Sequence, residues 1–109
     1  MDLTQLKCAP CEGIGRPMTA KEAKEYLKKV KDWKINGKMI EKKFKFKDFM
    51  AAINFINKVA SIAEEEGHHP DIHLTGWNKV KFELTTHELG GLTQNDFILA
   101  AKIDKLMPQ

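Results

Sequence analysis

The sequence predicts an α+β fold: a four-stranded antiparallel sheet with three helices packed on one face, in the order α-β-β-α-β-β-α. Two observations support this prediction. Apolar residues recur at helical spacing in three segments and alternate with polar residues in the two regions between them. Each alternating region is interrupted by a short turn containing glycine and asparagine, as in a β-hairpin. Since each hairpin has one apolar face, the amphipathic helices are expected to cover that face.

The first helix is predicted by a capping-box pattern, in which Glu22 follows Thr19 by three residues. Its inward face carries apolar residues at helical spacing: Ala23, Tyr26, Leu27 and Val30. We expect this helix to end near Lys31. The first hairpin follows, with alternating segments on either side of Asn36-Gly37, a pair that suits the two central positions of a tight turn.

From about Lys47 the spacing becomes helical again. The predicted inward stripe of this long helix consists of Phe49, Ile53, Ile56, Ala60 and Ala63. The helix should stop at Gly67, because glycine suits the left-handed position just past a helix end.

The second hairpin and the last helix complete the fold. Apolar residues occupy every second position before and after Gly76-Trp77-Asn78: Ile72, Leu74, Val80, Phe82 and Leu84. Thr93 with Asp96 resembles a capping box that uses Asp in place of Glu. The helix that follows should turn Phe97, Ala100, Ile103 and Met107 inward.

The length and composition of the chain are those of a globular protein with a single core. The chain has 109 residues, with 42% hydrophobic and 30% charged residues and a formal charge of +3. We expect an irregular N-terminal arm over residues 1–17 and one domain over 18–109. The lysines are dispersed and the apolar runs are short, so neither a nucleic-acid surface nor a membrane span is expected. Without a signal-peptide pattern at the N-terminus, the sequence favours a cytoplasmic protein.

The arm contains both cysteines of the chain, Cys8 and Cys11. A redox pair would normally follow a strand and open a helix, and a structural zinc site would need a second cysteine pair. The sequence has neither pattern, so a reduced arm that need not be ordered is favoured over both alternatives.

The histidines give the clearest indication of function, since all four lie between His68 and His87. Apolar residues of the second hairpin must face apolar partners, so paired residue numbers have an even sum. A turn centred on Asn78 would pair Ile72 with Leu84 and His73 with Glu83. Extending this ladder places His87 opposite His69, and a two-residue slip places it opposite Gly67 or Asp71. In each of these registers His87 lies beside the His68-His69 pair.

Glu64, Glu65 and Glu66 occupy the last turn of the long helix, where the helix dipole disfavours negative charge. Glu64 precedes His68 by four residues and could orient its imidazole or raise its pKa if the helix persists. Glu65 and Glu66 fit either a solvated helix end or a functional role.

Three interpretations of the histidine cluster remain open from the residues alone. The histidines could be surface residues without a role, although this explains His73 better than three converging side chains. They could bind zinc, although the adjacent side chains of His68 and His69 diverge in extended backbone. Acid–base chemistry on a small neutral molecule is the interpretation that the cluster favours.

Several motifs together resemble the pterin-4a-carbinolamine dehydratase family. They are Phe46-Lys47-Asp48-Phe49, Glu64-x-x-x-His68-His69-Pro70, Trp77-Asn78-Lys79-Val80, Thr86-His87-Glu88 and Gly91-Leu92-Thr93-x-x-Asp96. The resemblance extends from about Thr19 to Leu106, and the N-terminal cysteine pair is similar to that of bacterial members.

The resemblance implies dehydration of 4a-hydroxytetrahydropterin to quinonoid dihydropterin, which recycles the cofactor of aromatic amino acid hydroxylases. It implies that His68 and His87 transfer protons, with Glu64 tuning His68. It also implies a substrate-binding set: His69, Pro70, Thr86, Glu88 and Asp96, the last supporting the site from the start of the final helix. Neither a metal nor a bound cofactor is expected, since the pterin is the substrate.

As partners, the resemblance implies a homotetramer or homodimer. Some relatives act instead as dimerisation partners of a transcription factor or as assembly chaperones. A binding role of that kind is the alternative function, and it could coexist with catalysis.

Overall fold

The computed structural model describes residues 2–107, apart from the side chain of Cys11. A 3₁₀ turn (Leu3–Gln5) and a short helix α1 (Cys11–Ile14) come first. They are followed by α2 (Ala20–Leu27), β1 (Lys34–Asn36), β2 (Met39–Lys45), α3 (Phe49–Glu66), β3 (Asp71–Thr75), β4 (Lys79–Leu84), a 3₁₀ turn (His87–Leu89) and α4 (Gln94–Leu106). The predicted α+β class and the order of the main elements are confirmed.

The four strands form one antiparallel sheet in the order β1-β2-β4-β3. In the first hairpin Asn36 pairs with Met39, so the two-residue turn is Gly37-Lys38 and not the predicted Asn36-Gly37. Gly37 has a φ of +62°, which supplies the left-handed backbone that this turn needs. Asn36 belongs to the strand, and its side chain donates to Glu41.

The second hairpin has a register two residues away from the predicted one. Ile72 pairs with Phe82, where Leu84 was predicted, although paired residues do have even sums. Gly76 and Trp77 have φ values of +54° and +58°, so the loop is centred on Trp77 and not on Asn78. Trp77 is a large side chain in left-handed backbone, which is uncommon and is not visible in the alternating pattern.

The apolar face of the sheet packs against the helices. Ile40 and Phe44 of β2 and Val80, Phe82 and Leu84 of β4 are buried in this core. The predicted inward stripe of α3 is partly wrong, because Phe49 is 49% exposed and Ala60 is also exposed. The buried face of α3 instead carries Ala52, Phe55, Val59 and Ala63. The helix has apolar residues on two faces, so spacing alone did not identify the packed one.

Both predicted capping boxes are present. The Thr19 box starts α2, which ends at Leu27, four residues before the predicted end at Lys31. The Thr93 box starts α4, and Asp96 supplies the reciprocal carboxylate. The inward residues of α4 are as predicted: Phe97, Ala100 and Ile103 are buried, and Met107 is partly buried.

The segment before α2 was predicted to be irregular, but residues 2–14 contain two short helical turns and pack on the domain. Leu3 is only 3% exposed and belongs to the main core. Cys8 is partly buried against the same core. None of the helices within residues 2–107 is both long enough and apolar enough to cross a membrane.

Candidate active site

A cavity of about 330 Å³ lies where α3 ends and where the chain leaves β4. Three histidines line it: His68 and His69 after α3, and His87 after β4. These residues are far apart in the sequence, and the fold brings them to one opening. The convergence expected from the hairpin argument is therefore present in the structure.

The end of α3 directs the two neighbouring histidines to different surroundings. Gly67 adopts left-handed backbone with a φ of +65°, and the His68 N–H donates to the Ala63 carbonyl over 3.2 Å. This is the usual way in which a glycine ends a helix and reverses its last turn. The side chain of His68 turns inward and is 11% exposed, whereas that of His69 is 62% exposed.

His68 contacts a buried carboxylate on α4. Its Nε2 lies 2.6 Å from Oδ1 of Asp96, a residue with no exposed surface. Oδ2 of Asp96 accepts hydrogen bonds from the Thr86 hydroxyl and from the Thr93 N–H, each over 2.9 Å. The hydroxyl groups of Thr86 and Thr93 are themselves 2.8 Å apart. Both oxygens of Asp96 therefore have hydrogen-bond partners. Because Asp96 also caps α4, the position of the carboxylate oxygen that contacts His68 is fixed.

Glu64 does not contact His68, so the predicted contact between them is wrong. Glu64 instead hydrogen-bonds to Nε2 of His69. The four-residue spacing would join Glu64 to His68 only if the helix continued. Because Gly67 ends it, His68 is carried towards α4 and His69 takes the position above Glu64.

His87 reaches the cavity by a route other than the predicted one. The ladder between β3 and β4 stops at Asp71 and Glu83, so His87 has no direct partner across the sheet. Beyond β4, Thr86 forms an isolated bridge with Gly91, and His87 begins a 3₁₀ turn. This turn leaves the His87 side chain exposed at the cavity.

The other predicted residues divide into three groups. Thr86 and Glu88 line the cavity, but the hydroxyl of Thr86 is already committed to Asp96 and Thr93. Pro70 follows His69 and is not among the described residues that line the cavity. His73 lies on the uncovered face of the sheet, directly opposite Lys81, and its Nε2 is 2.6 Å from Glu83 Oε1. His73 is therefore separate from the other three histidines.

The N-terminal arm also contributes to the cavity, which the sequence did not indicate. Ala9, Pro10 and Glu12 line it, together with Asn95 of α4. Asn95 is 3% exposed and hydrogen-bonds to Ala9. An asparagine early in a helix is ordinary, so no sequence signal could have identified this contact.

The arm alters the environment of two titratable groups. Burial raises the pKa of the Cys8 thiol to about 12, and the nearby Glu66 carboxylate adds to this effect. Burial alone would raise the pKa of Glu66, but hydrogen bonds from Lys102 and from the Cys8 N–H outweigh it and lower that pKa. Among the described side chains of residues 2–107, which exclude that of Cys11, no three His, Cys, Asp or Glu side chains are grouped as metal ligands would be.

Comparisons with known proteins identify the family of this chain. The sequence model of the family described as pterin 4 alpha carbinolamine dehydratase matches residues 16–106. The chain is 47% identical over 110 residues to "Pterin-4-alpha-carbinolamine dehydratase 2, mitochondrial" of Arabidopsis thaliana, covering 96% of this chain and 59% of the plant protein. It is 46% identical to a putative pterin-4-alpha-carbinolamine dehydratase of Nitrosospira multiformis, covering 96% of this chain and 92% of that protein.

Two solved structures are also similar. One is a transcriptional coactivator/pterin dehydratase from Brucella melitensis, with a TM-score of 0.77 and 34% identity over 83% of this chain and 97% of that one. The other is a pterin dehydratase-like protein identified as a RuBisCO assembly factor, with a TM-score of 0.58 and 31% identity over 69% of this chain and 88% of that one. By its sequence and its fold, this chain belongs to the pterin-4a-carbinolamine dehydratase family of hydro-lyases.

Proposed function

We propose that this protein dehydrates 4a-hydroxytetrahydropterin to quinonoid dihydropterin and water. The observation that carries the proposal is the placement of His87 at the same cavity as His68, whose imidazole is held by buried Asp96. Family membership supports the reaction class, and the cavity supports the chemistry. In a cell, this reaction would return the pterin cofactor spent by aromatic amino acid hydroxylases.

The reaction needs one proton to leave and one to arrive. A base removes the proton from ring nitrogen N5, and the electron pair of that N–H bond forms the C4a=N5 double bond. The C4a–O bond breaks at the same time, and an acid protonates the departing hydroxyl to give water. Each well-placed imidazole can contribute about 10²–10⁴-fold to such a transfer.

The contacts of His68 favour it as the base. An ionised carboxylate can only accept hydrogen bonds, so Asp96 selects the tautomer of His68 that carries hydrogen on Nε2. That tautomer leaves the lone pair on Nδ1 to accept the N5 proton, and Asp96 stabilises the imidazolium that results. We assign the acid role to His87, which is exposed at the cavity and can exchange protons with solvent.

The remaining residues have supporting roles in this proposal. His69, oriented by Glu64, and Glu88 bind the pterin at the cavity wall. Thr86 acts through Asp96, because its hydroxyl donates to that carboxylate. The mechanism uses proton transfers only, so no metal or bound cofactor takes part.

The direct test is an assay of carbinolamine dehydration with purified protein, before and after exhaustive chelation. We expect turnover above the spontaneous rate that survives chelation. Loss of turnover on chelation, with recovery on adding zinc, would replace this mechanism with a metal-dependent one.

The alternative function, a coactivator or assembly role, is kept because both similar structures carry such descriptions. Dehydration is preferred for this chain, since a binding role alone would not require His68, His69 and His87 at one cavity. We also propose a homo-oligomer, a tetramer or a dimer. Phe49 and Met50 at the start of α3 are 49% and 60% exposed, and β1 and β3 are edge strands open to pairing.

A further inference from the structure

The N-terminal arm lies against the cavity that contains the three histidines. Ala9, Pro10 and Glu12 contribute to its lining. These residues precede the segment matched to the family, which begins at residue 16. The arm therefore adds surface to the site from outside the matched domain.

Asn95 fastens the arm at the edge of this cavity. Its side-chain oxygen accepts from the Ala9 N–H over 2.8 Å, and its Nδ2 donates to the Ala9 carbonyl, also over 2.8 Å. One side chain thus satisfies both main-chain polar groups of a single residue. Asn95 is 3% exposed, so loss of these two hydrogen bonds would leave its buried side-chain amide without partners, which is costly.

Glu66 fastens the arm a second time. Its Oε1 accepts from the Cys8 N–H over 2.8 Å, while Oε2 accepts from Lys102 Nζ over 2.7 Å. The Glu66 side chain is 9% exposed and that of Lys102 is 16% exposed, so this ion pair is largely shielded from solvent. Hydrogen bonds to one side chain of α3 and one side chain of α4 therefore hold the arm in place.

Both fastening residues are close in the chain to the His68–Asp96 pair. Glu66 precedes His68 by two residues, and Asn95 directly precedes Asp96. The end of α3 and the start of α4 therefore position the histidine, its carboxylate and the arm together. If the arm served only to cover the core, its contacts would not need to lie beside the His68–Asp96 pair.

The charges at the cavity indicate what kind of ligand the arm would meet. Glu12 of the arm and Glu88 line the cavity, and none of the described residues lining it is a lysine or an arginine. Two carboxylates disfavour an anionic ligand and favour one with several N–H donors. Ala9 and Pro10 add small apolar surface, which suits contact with a flat ring.

We propose that Ala9, Pro10 and Glu12 form a substrate-binding wall, with Asn95 as the residue that positions it. The wall would contact a flat, neutral, nitrogen-rich heterocycle, and Glu12 would accept hydrogen bonds from its amino or ring N–H groups. This inference rests on the proposed function, because it assumes that the ring bound at the cavity is the pterin. It assigns the N-terminal arm a role in binding and none in proton transfer.

The test compares Glu12→Gln and Asn95→Ala with the full-length wild type. Loss of a hydrogen bond to bound substrate should raise KM about 3- to 10-fold, with kcat nearly unchanged. The dissociation constant of 7,8-dihydropterin, an unreactive probe that lacks the 4a-hydroxyl, should rise by a similar factor. Glu25→Gln is the matched control, since Glu25 is an exposed glutamate on α2 outside the cavity.

Hydrogen exchange gives a readout that a merely structural contact would not change. The amides of Cys8 and Ala9 are hydrogen-bonded in the free protein. Adding 7,8-dihydropterin to the wild type should slow exchange across residues 8–12 further, and Asn95→Ala should abolish this response. Glu12→Gln changes an exposed side chain, so it keeps the test decisive even if Asn95→Ala fails to fold.

The two hypotheses fail in different ways. If the wild type is active but both variants keep its KM and its affinity for dihydropterin, the wall is refuted and the proposed function stands. A fall in kcat of Glu12→Gln at unchanged KM would also refute a binding role. A wild type that neither binds dihydropterin nor dehydrates the carbinolamine refutes both.

Discussion

Asp96 Oδ1 lies 2.6 Å from His68 Nε2, and the same carboxylate caps α4 through the Thr93 N–H. One buried side chain therefore begins a helix and orients a histidine at the cavity. Because helix capping fixes where the carboxylate stands, the histidine meets a preorganised acceptor. Preorganised polar groups of this kind need not be rearranged during a reaction.

The first prediction follows from this pair. Asp96→Asn keeps the size of the side chain but removes the charge that selects the tautomer of His68 and stabilises its imidazolium. We expect kcat to fall about 10²-fold, and the pH profile of kcat to shift, while far-UV circular dichroism stays unchanged. Thr86→Val removes one donor to Asp96 and should give a smaller loss. A folded Asp96→Asn protein with wild-type kcat and pH profile would exclude the proposed role of this carboxylate.

The second prediction separates the four histidines. His68→Ala and His87→Ala should each lower kcat about 10²–10⁴-fold without unfolding the protein. His69→Ala should mainly raise KM, since the proposed role of His69 is binding.

His73→Ala is the internal control for this series. His73 lies on the uncovered face of the sheet, with 47% of its side chain exposed, and contacts Glu83. A pair of this kind contributes at most about 1 kcal/mol to the free energy of unfolding. If His73→Ala were as inactive as His87→Ala while remaining folded, the site described above would be in the wrong place.

The elements of the fold are predictable because their signals are local. Capping boxes at Thr19 and Thr93 and a glycine at position 67 mark helix ends within one turn of chain. The alternating pattern also requires apolar residues to pair with apolar residues, which limits each hairpin to registers two residues apart. The choice among those registers depends on Trp77, whose left-handed backbone carries no signal in the pattern.

The site was predictable only in part, because its contacts depend on tertiary structure. The approach of His87 to His68 and His69 follows from the hairpin of β3 and β4 in any of its allowed registers. The partner of each imidazole does not: Gly67 turns the chain so that Glu64 meets His69, while His68 meets Asp96 on another helix. The position of the N-terminal arm was even less predictable, since Asn95 and Ala9 are 86 residues apart in the chain.

The third prediction concerns the corrected role of Glu64. Its side chain is 77% exposed and that of His69 is 62% exposed, so their contact is weak in water. Glu64→Gln should raise KM by at most about fivefold, equivalent to about 1 kcal/mol. Because Glu64 does not contact His68, kcat should fall far less than in Asp96→Asn. Steady-state kinetics of the two variants side by side would decide this, and equal losses of kcat would restore Glu64 as the partner of His68.

The fourth prediction concerns the pH dependence of stability at Cys8. Burial raises the pKa of its thiol from 9.0 to about 12 in the folded protein. A group whose pKa is raised by folding stabilises the protein fully below its unfolded pKa, and this contribution is lost as pH rises towards the folded value. The loss should therefore develop between about pH 9 and pH 12, where the unfolded chain releases the proton and the folded chain retains it.

The measurement compares the free energy of unfolding of wild type and Cys8→Ala across that pH range. All other residues are the same in the two proteins, so the difference between the two slopes isolates Cys8. We expect the wild type to lose stability more steeply above pH 9, and Cys8 in the folded protein to react slowly with iodoacetamide at pH 8. Equal slopes, together with rapid alkylation of Cys8, would mean that the arm does not bury this thiol in solution. The contact between the Cys8 N–H and Glu66 would then be absent as well, since both depend on the same docked arm.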